Sequence, residues 1–404
     1  MIVRYEPWGA WAKTESPPAL VALDRDAVRA IGLDGGAVWT DAPRASAPLE
    51  AHVAVTSRCA AGCTGCYLDA RPDGDEPPQE TMVTALDDLA KAGVFTVAFG
   101  GGEPTTREDL DVLAREARLR GLTPVLTTSG LGLTPEKIAR LRAFAQVNVS
   151  YDGGGEEYAR VRGFDGARHA EGAIQALVAA GVRVGVNIVL TRATWGSLDA
   201  TLERARALGA CEAQLLRYKP AGRAASLDYL AQRLTPEQAR ELGPKLRAIV
   251  ERGVPGFRIR IDCAMVPFFS ADPSIDASTL ARFGVLGCEA GDKLVALRVD
   301  GRIAPCSFAA PTGLHASDVE SRREDAELST WRAWNASPAE PCASCSLRAV
   351  CRGGCKVVAR FVDGAHGPDP ECPRVRAHRE AERAHDTTTG SGTSCTPNAL
   401  STPT

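Results

Sequence analysis

Residues 50–70 read EAHVAVTSRCAAGCTGCYLDA, and the change of pattern inside that stretch decides the fold. EAHVAVT alternates apolar with polar positions and favours β-branched side chains, so it predicts a strand. Beyond the strand, Cys59, Cys63 and Cys66 fall on a loop, and a helix is predicted next at TMVTALDDLAKAG. The same unit then repeats. FTVAFGG, TPVLTTSG, QVNVSYDG, VRVGVNIVLT and EAQLLRY read as further strands, with REDLDVLAREARLRG, TPEKIARLRAFA, HAEGAIQALVAAG and SLDATLERARALG as the helices between them. Thr134 and Ser197 stand at helix entries, and Gly93, Gly121, Gly181 and Gly209 at helix exits, the positions where side-chain caps and left-handed backbone belong. Six strands with five helices between them predict a parallel sheet of right-handed βαβ units. Periodicity leaves two arrangements open, a doubly wound sheet or a partial barrel.

Working outward, residues 1–47 form a separate piece: Tyr5, Trp8, Trp11 and the run PALVALD predict a small sheet ahead of a helix in DRDAVRAIG. Residues 48–225 carry the repeat. A bridging region at 226–285 includes a helix near Pro236–Arg252, and 286–375 is rich in cysteine. The end, 376–404, closes on DTTTGSGTSCTPNALSTPT and reads as a disordered tail, with Cys395 a bystander in it. A chain of 404 residues has room for two or three domains. Its 47 basic and 50 acidic side chains give a net charge of −3, which excludes a nucleic-acid binder driven by bulk positive charge. No apolar run is long enough to span a membrane, and MIVRYEPWGAWAKTESPP lacks the features of an export signal. A cytoplasmic location is therefore expected. In that reducing compartment 13 clustered cysteines point to metal ligation rather than to disulfides.

Three thiolates within eight residues can converge on one metal centre, yet they leave a tetrahedral or cubane site one ligand short. A 4Fe–4S cluster held this way keeps one iron open to another molecule. Structural thiols or part of a zinc knuckle are the bland alternatives, and neither a histidine nor a fourth cysteine lies nearby to support them.

The pattern CxxxCxxC followed by an aromatic, Tyr67, at the end of a first βα strand resembles the signature of the radical S-adenosylmethionine (SAM) superfamily. The resemblance implies a partial (β/α)6 TIM barrel and a SAM-binding 4Fe–4S cluster on Cys59, Cys63 and Cys66. It also implies reductive cleavage of SAM to a 5′-deoxyadenosyl radical that abstracts hydrogen from substrate. In FGGGEPTT, the residues Gly101, Gly102, Glu103 and Pro104 match the family's GGEP segment, which places Glu103 against the ammonium of the methionine moiety. Ser129 in TTSG, and Ser150 with Asp152 in SYDG, resemble positions that contact the ribose and the methionine carboxylate, or else cap helices. Tyr67 resembles the residue beside the adenine, its plain role being packing at the barrel mouth.

Seven further cysteines, Cys288, Cys306, Cys342, Cys345, Cys351, Cys355 and Cys372, have spacings that resemble the SPASM extension, a C-terminal cysteine-rich iron–sulfur domain. By that resemblance Cys342, Cys345, Cys351 and Cys372 hold one auxiliary 4Fe–4S cluster. Cys288, Cys306 and Cys355 hold another, whose fourth ligand is Cys263, or substrate, with a packing role for Cys263 still open. Cys211 reads as a core thiol. The whole implies three 4Fe–4S clusters, SAM and an external one-electron reductant of flavodoxin or ferredoxin type. The expected substrate is a ribosomally made peptide that the enzyme cross-links or bridges by a thioether, with no membrane or nucleic-acid partner. Ser307 stands where the sulfatase-activating branch typically has aspartate, which weakens formylglycine formation. The short N-terminal piece argues against a built-in winged-helix leader reader, so a separate protein or the barrel mouth would serve. The alternatives are a small-molecule oxidoreductase acting on a haem or quinone precursor, and a non-catalytic iron–sulfur or zinc protein.

Overall fold

Apolar residues on alternate positions of successive strands, facing amphipathic helices, give one layered body. The computed structural model describes residues 1–15, 18–40, 46–253, 256–333 and 338–389. At its centre is a nine-stranded sheet. Six strands follow the predicted repeat: β4 (Glu50–Thr56), β5 (Thr96–Gly101), β6 (Thr123–Thr128), β7 (Gln146–Ser150), β8 (Val184–Leu190) and β9 (Glu212–Arg217). They lie side by side in chain order and all parallel. The sheet is open, with β10 (Arg258–Ile261) at one edge and β12 (Ile303–Ala304) at the other, so the barrel is partial.

The register sorts side chains by face. Val53, Val55, Val97, Phe99, Val147, Val149, Val186, Ile188 and Leu215 are buried outward, in one core with Leu86, Leu89, Leu113, Ile174, Leu177 and Leu202 of the helices. Full burial of each such side chain contributes about 1.5–3 kcal/mol. The alternate residues of β4, Glu50 and His52, are only partly buried, as are Gln146 and Asn148 of β7 and Gln214 of β9. The inner wall is therefore polar. Thr134 caps its helix by accepting from the Lys137 amide at 3.3 Å, whereas Ser197 makes no side-chain cap bond.

Two features extend the expected architecture. RIRI in the bridging region forms β10, a seventh parallel strand on β9, and β11 (Leu294–Leu297) in the cysteine-rich region pairs parallel with β4. The central sheet thus crosses both expected boundaries. The stretch from 376, expected to be disordered, is instead helical as part of Pro373–Thr389, because Arg, Ala and Glu there are good helix formers. Residues 390–404, including Cys395, lie outside the described residues.

The N-terminal piece forms the expected antiparallel sheet, β1 (Ile2–Glu6), β2 (Gly9–Glu15) and β3 (Pro18–Asp24), followed by the helix Arg25–Ala30. Arg4 donates to the carbonyls of Ala47 (3.1 Å) and Pro48 (2.9 Å), and Lys13 to that of Gly121 (2.7 Å), which docks the sheet below the entries of β4 and β6. Among the described residues no helix is long and apolar enough to cross a membrane, and every described cysteine is free.

Candidate functional site

The loop after β4 is folded back on itself by backbone bonds. The Cys59 amide donates to Arg71 O at 2.8 Å, Ser57 to Asp75 O at 2.8 Å, and Cys66 to Cys63 O at 3.3 Å. Arg223 staples it from beyond the end of β9, donating to Cys63 O at 3.1 Å, to Ala70 O at 2.8 Å and to Asp69 Oδ1 at 2.9 Å. Thr64 donates its amide to Arg162 O at 3.0 Å. The three thiols become electrostatic neighbours. Burial pushes the Cys59 thiol up, opposed by the Ala61 amide, and charge on Glu103, Cys63 and Cys66 adds to the rise. Burial also raises Cys63, with the Arg162 guanidinium pulling the other way. A cation bound there would reverse the penalty, because thiolates are the ligating form.

The end of β5 packs against the root of this loop. Gly102 N donates to Thr56 O and Glu103 N to Arg58 O, each at 2.7 Å. A methyl group on Gly102 would meet Arg58 O at 2.1 Å, so only glycine allows the approach. Glu103 is buried and saturated. Its Oε1 accepts from the Thr105 amide (3.2 Å), Thr105 Oγ1 (2.8 Å) and Thr128 Oγ1 (2.7 Å), and its Oε2 from the Ser129 amide (2.8 Å) and Ser129 Oγ (2.5 Å). Pro104 opens the short turn that supplies the Thr105 donors. Ser150 ends β7 opposite Asn187 of β8, whose buried Oδ1 has no partner. Asp152 is fully buried between Arg162 Nε (2.6 Å) and the Val189 amide (2.7 Å). The Tyr67 ring packs against Phe308 with centroids 4.7 Å apart and the planes tilted by 37°, and burial together with the Cys66 charge pushes its hydroxyl up to about 12. On the inner wall His52 Nδ1 lies 2.7 Å from Ser307 Oγ, and His52 Nε2 lies 3.1 Å from Glu50 Oε1.

The remaining cysteines sort into two groups. Cys342, Cys345, Cys351 and Cys372 line one cavity with Pro267, Ser270 and Leu347. Burial raises Cys342 to about 11, with Cys372 and Cys345 adding to it. Cys263, Cys288, Cys306 and Cys355 form the other group. Burial first, then Cys288 and Cys355, raises Cys306 to about 12, and Cys263 is raised well above the ordinary thiol by burial, Asp262, Cys288 and Cys355. Cys211 is apart from both, donating to Val184 O at 3.2 Å. Among the described residues no three His, Cys, Asp or Glu side chains converge tightly enough for a single metal ion. All-thiol sets of four, and an orphaned acceptor beside Ser150, fit iron–sulfur clusters and a polar ligand in donor chemistry.

Between the groups lies an ionic hub that composition and spacing did not disclose. Arg217, at the end of β9, donates to Asp369 through both terminal nitrogens (2.5 and 3.0 Å), to Glu371 (3.0 Å) and to Ala264 O (2.8 Å). Asp369 accepts from the Cys355 amide at 2.9 Å, and Glu371 from Tyr229 at 3.0 Å. Lys219 pairs with Asp262 beside it. Partners 43 to 154 residues apart leave no local signal. An unusually polar strand exit, Arg-Tyr-Lys at 217–219, was the one available hint.

Comparison with known proteins agrees with this geometry. The Radical SAM superfamily pattern matches residues 53–205. The mycofactocin maturase MftC of Mycobacterium tuberculosis is 30% identical over 356 residues, spanning 84% of this chain and 86% of that protein. The PqqA peptide cyclase of Rhodopseudomonas palustris is 29% identical over 374 residues, spanning 85% and 92%. The crystal structure of Streptococcus suis SuiB bound to precursor peptide SuiA has the same fold, with a TM-score of 0.71 at 17% identity over 92% of this chain and 98% of that one.

Proposed function

Since this chain belongs to the radical SAM superfamily, we propose that it is a maturase that modifies a ribosomally made peptide inside its partial barrel. Membership brings SAM and a 4Fe–4S cluster. The observation that carries the reading is the loop of three neighbouring thiols, Cys59, Cys63 and Cys66, seated at the strand ends beside Glu103. In this reading those thiols hold the cluster and leave one iron for SAM. When bound, the pair supplies one-electron cleavage of SAM and hydrogen abstraction from substrate.

The chain's own residues bind and orient. Glu103 accepts from the ammonium of SAM, Gly101 and Gly102 let the backbone approach it, and Tyr67 lies against the adenine. Ser129 and Ser150 serve the ribose and carboxylate ends. Cys342, Cys345, Cys351 and Cys372 hold one auxiliary cluster, and Cys288, Cys306, Cys355 and Cys263 hold the other. The polar inner wall, with Glu50, His52 and Ser307, receives the peptide side chain. The electron comes from an external flavodoxin- or ferredoxin-type donor in a reducing cytoplasm, and a separate protein reads the peptide's leader.

The test is anaerobic reconstitution with iron and sulfide, followed by SAM, dithionite and a short peptide taken from a reading frame neighbouring this chain's gene. The expected result is about twelve irons per chain, with 5′-deoxyadenosine formed in step with a mass change in the peptide. Bound zinc without sulfide, or SAM cleavage with no change in the peptide, would overturn the reading.

A further inference from the structure

We propose that Lys219 is a positioning charge that raises the reduction potential of the auxiliary cluster on Cys263, Cys288, Cys306 and Cys355. The inference rests on the cluster assignments of the proposed function. Lys219 stands two residues beyond β9 and is 7% exposed, an expensive place for an ammonium group. It pairs with Asp262, the neighbour of Cys263, and Asp262 in turn accepts from the Cys263 thiol at 3.4 Å. Its Nζ also sits 4.4 Å from the centre of the Phe308 ring, two residues beyond Cys306. Phe308 packs against Tyr67, which follows Cys66, so Lys219 lies where the SAM-side loop and the first auxiliary group meet. Its charge acts on Cys263, Cys306 and Cys355.

Holding Asp262 in place does not require this lysine. The carboxylate already accepts from the Ala264 amide and the Arg217 amide, each at 3.1 Å. A methionine would fill similar space without the desolvation cost. What only a cation supplies is a field at the thiols. Arg217 also reaches Cys355, but its guanidinium is closed on both sides by Asp369 and Glu371. Asp369 is shared by both groups: it accepts from the Cys355 amide at 2.9 Å and lines the cavity of Cys342, Cys345, Cys351 and Cys372. In a buried site of low dielectric, a nearby cation favours the added electron of a reduced cluster and a nearby carboxylate disfavours it. Removing the ammonium of Lys219 therefore lowers the potential of the first group, and removing the Asp262 carboxylate raises it.

The experiment is a redox titration of the reconstituted full-length protein, read by electron paramagnetic resonance, each reduction taking one electron from dithionite into a cluster. A C342A/C345A background identifies the signal of the first auxiliary group. Lys219→Met is expected to shift that one midpoint to more negative potential and leave the other signals in place, while Lys219→Arg keeps it near wild type. Asp262→Asn, which removes the opposing charge, is expected to shift the same midpoint the other way. A midpoint unmoved in Lys219→Met at full iron content, or equal shifts in every signal, overturns the proposal. If Lys219→Met does not fold, opposite displacement in Asp262→Asn decides, and its absence counts against the proposal. An iron count of about four in the wild type would instead remove the auxiliary clusters themselves, and so marks failure of the underlying assignment.

Discussion

The two cysteine regions of this chain solve different problems. Cys59, Cys63 and Cys66 come from one loop, are only partly buried, and are shaped by backbone bonds and the Arg223 staple. The eight cysteines between Cys263 and Cys372 come from segments far apart in the chain, and Cys351, Cys355 and Cys372 among them are buried. The hub of Arg217, Asp369 and Glu371 ties the segments of Ala264, Cys355 and Cys372 together. A loop can be organised locally and still leave one coordination position for an exchangeable ligand. The sets of four proposed for the C-terminal cysteines need long-range structure, and they gain burial that would shield an electron acceptor from water. The contrast teaches that openness and closure are set by where the ligands sit in sequence as much as by how many there are.

That contrast can be broken most sharply at the thiols themselves. Replacing Cys59, Cys63 and Cys66 together with alanine is expected to abolish 5′-deoxyadenosine formation and remove about four of the irons, leaving the rest bound. Product chromatography and an iron assay check this. Next in size is Arg217→Met. Removing one partner of a buried ionic network costs about 3–5 kcal/mol, so the urea midpoint is expected to fall and auxiliary iron to be lost with it, while the loop thiols keep theirs. Glu103→Gln sharpens the other side of the comparison. Losing charge-assisted bonds costs about 1.5–3 kcal/mol, which corresponds to a weakening of SAM binding of roughly 10- to 100-fold. Equilibrium dialysis would measure it at unchanged iron content. Smallest is Arg223→Met, expected to cost about 1 kcal/mol and to show as faster proteolysis within residues 57–75 rather than as global unfolding.

Legibility in the sequence divides along the same line. The six parallel strands were legible because each carries its own alternation and its own helix partner, and Cys59, Cys63 and Cys66 because eight residues contain them. The strand β10 was not, since RIRI is short and its arginines remain largely exposed at a sheet edge. The place of Cys263 was open for the same reason: it depends on β10 joining β9 and returning the chain to the barrel mouth. Lys219, Arg217 and Asp369 carry no periodic or spaced pattern, because ion pairs across a hundred residues are written only in three dimensions. At the C-terminus the Ser/Thr/Gly-rich composition begins only at Asp386, and 376–385 ahead of it favour helix, which runs on to Thr389.

In the role proposed for Glu103, an ammonium group meets a carboxylate that is already fully bonded. Both carboxylate oxygens are already engaged by Thr105, Thr128 and Ser129 before any ammonium arrives. Loading is then an exchange and not an addition, since each new bond to the carboxylate competes with a hydroxyl already there. Net affinity reflects a small difference between two well-bonded states, and the hydroxyls given up are freed to turn toward the newcomer.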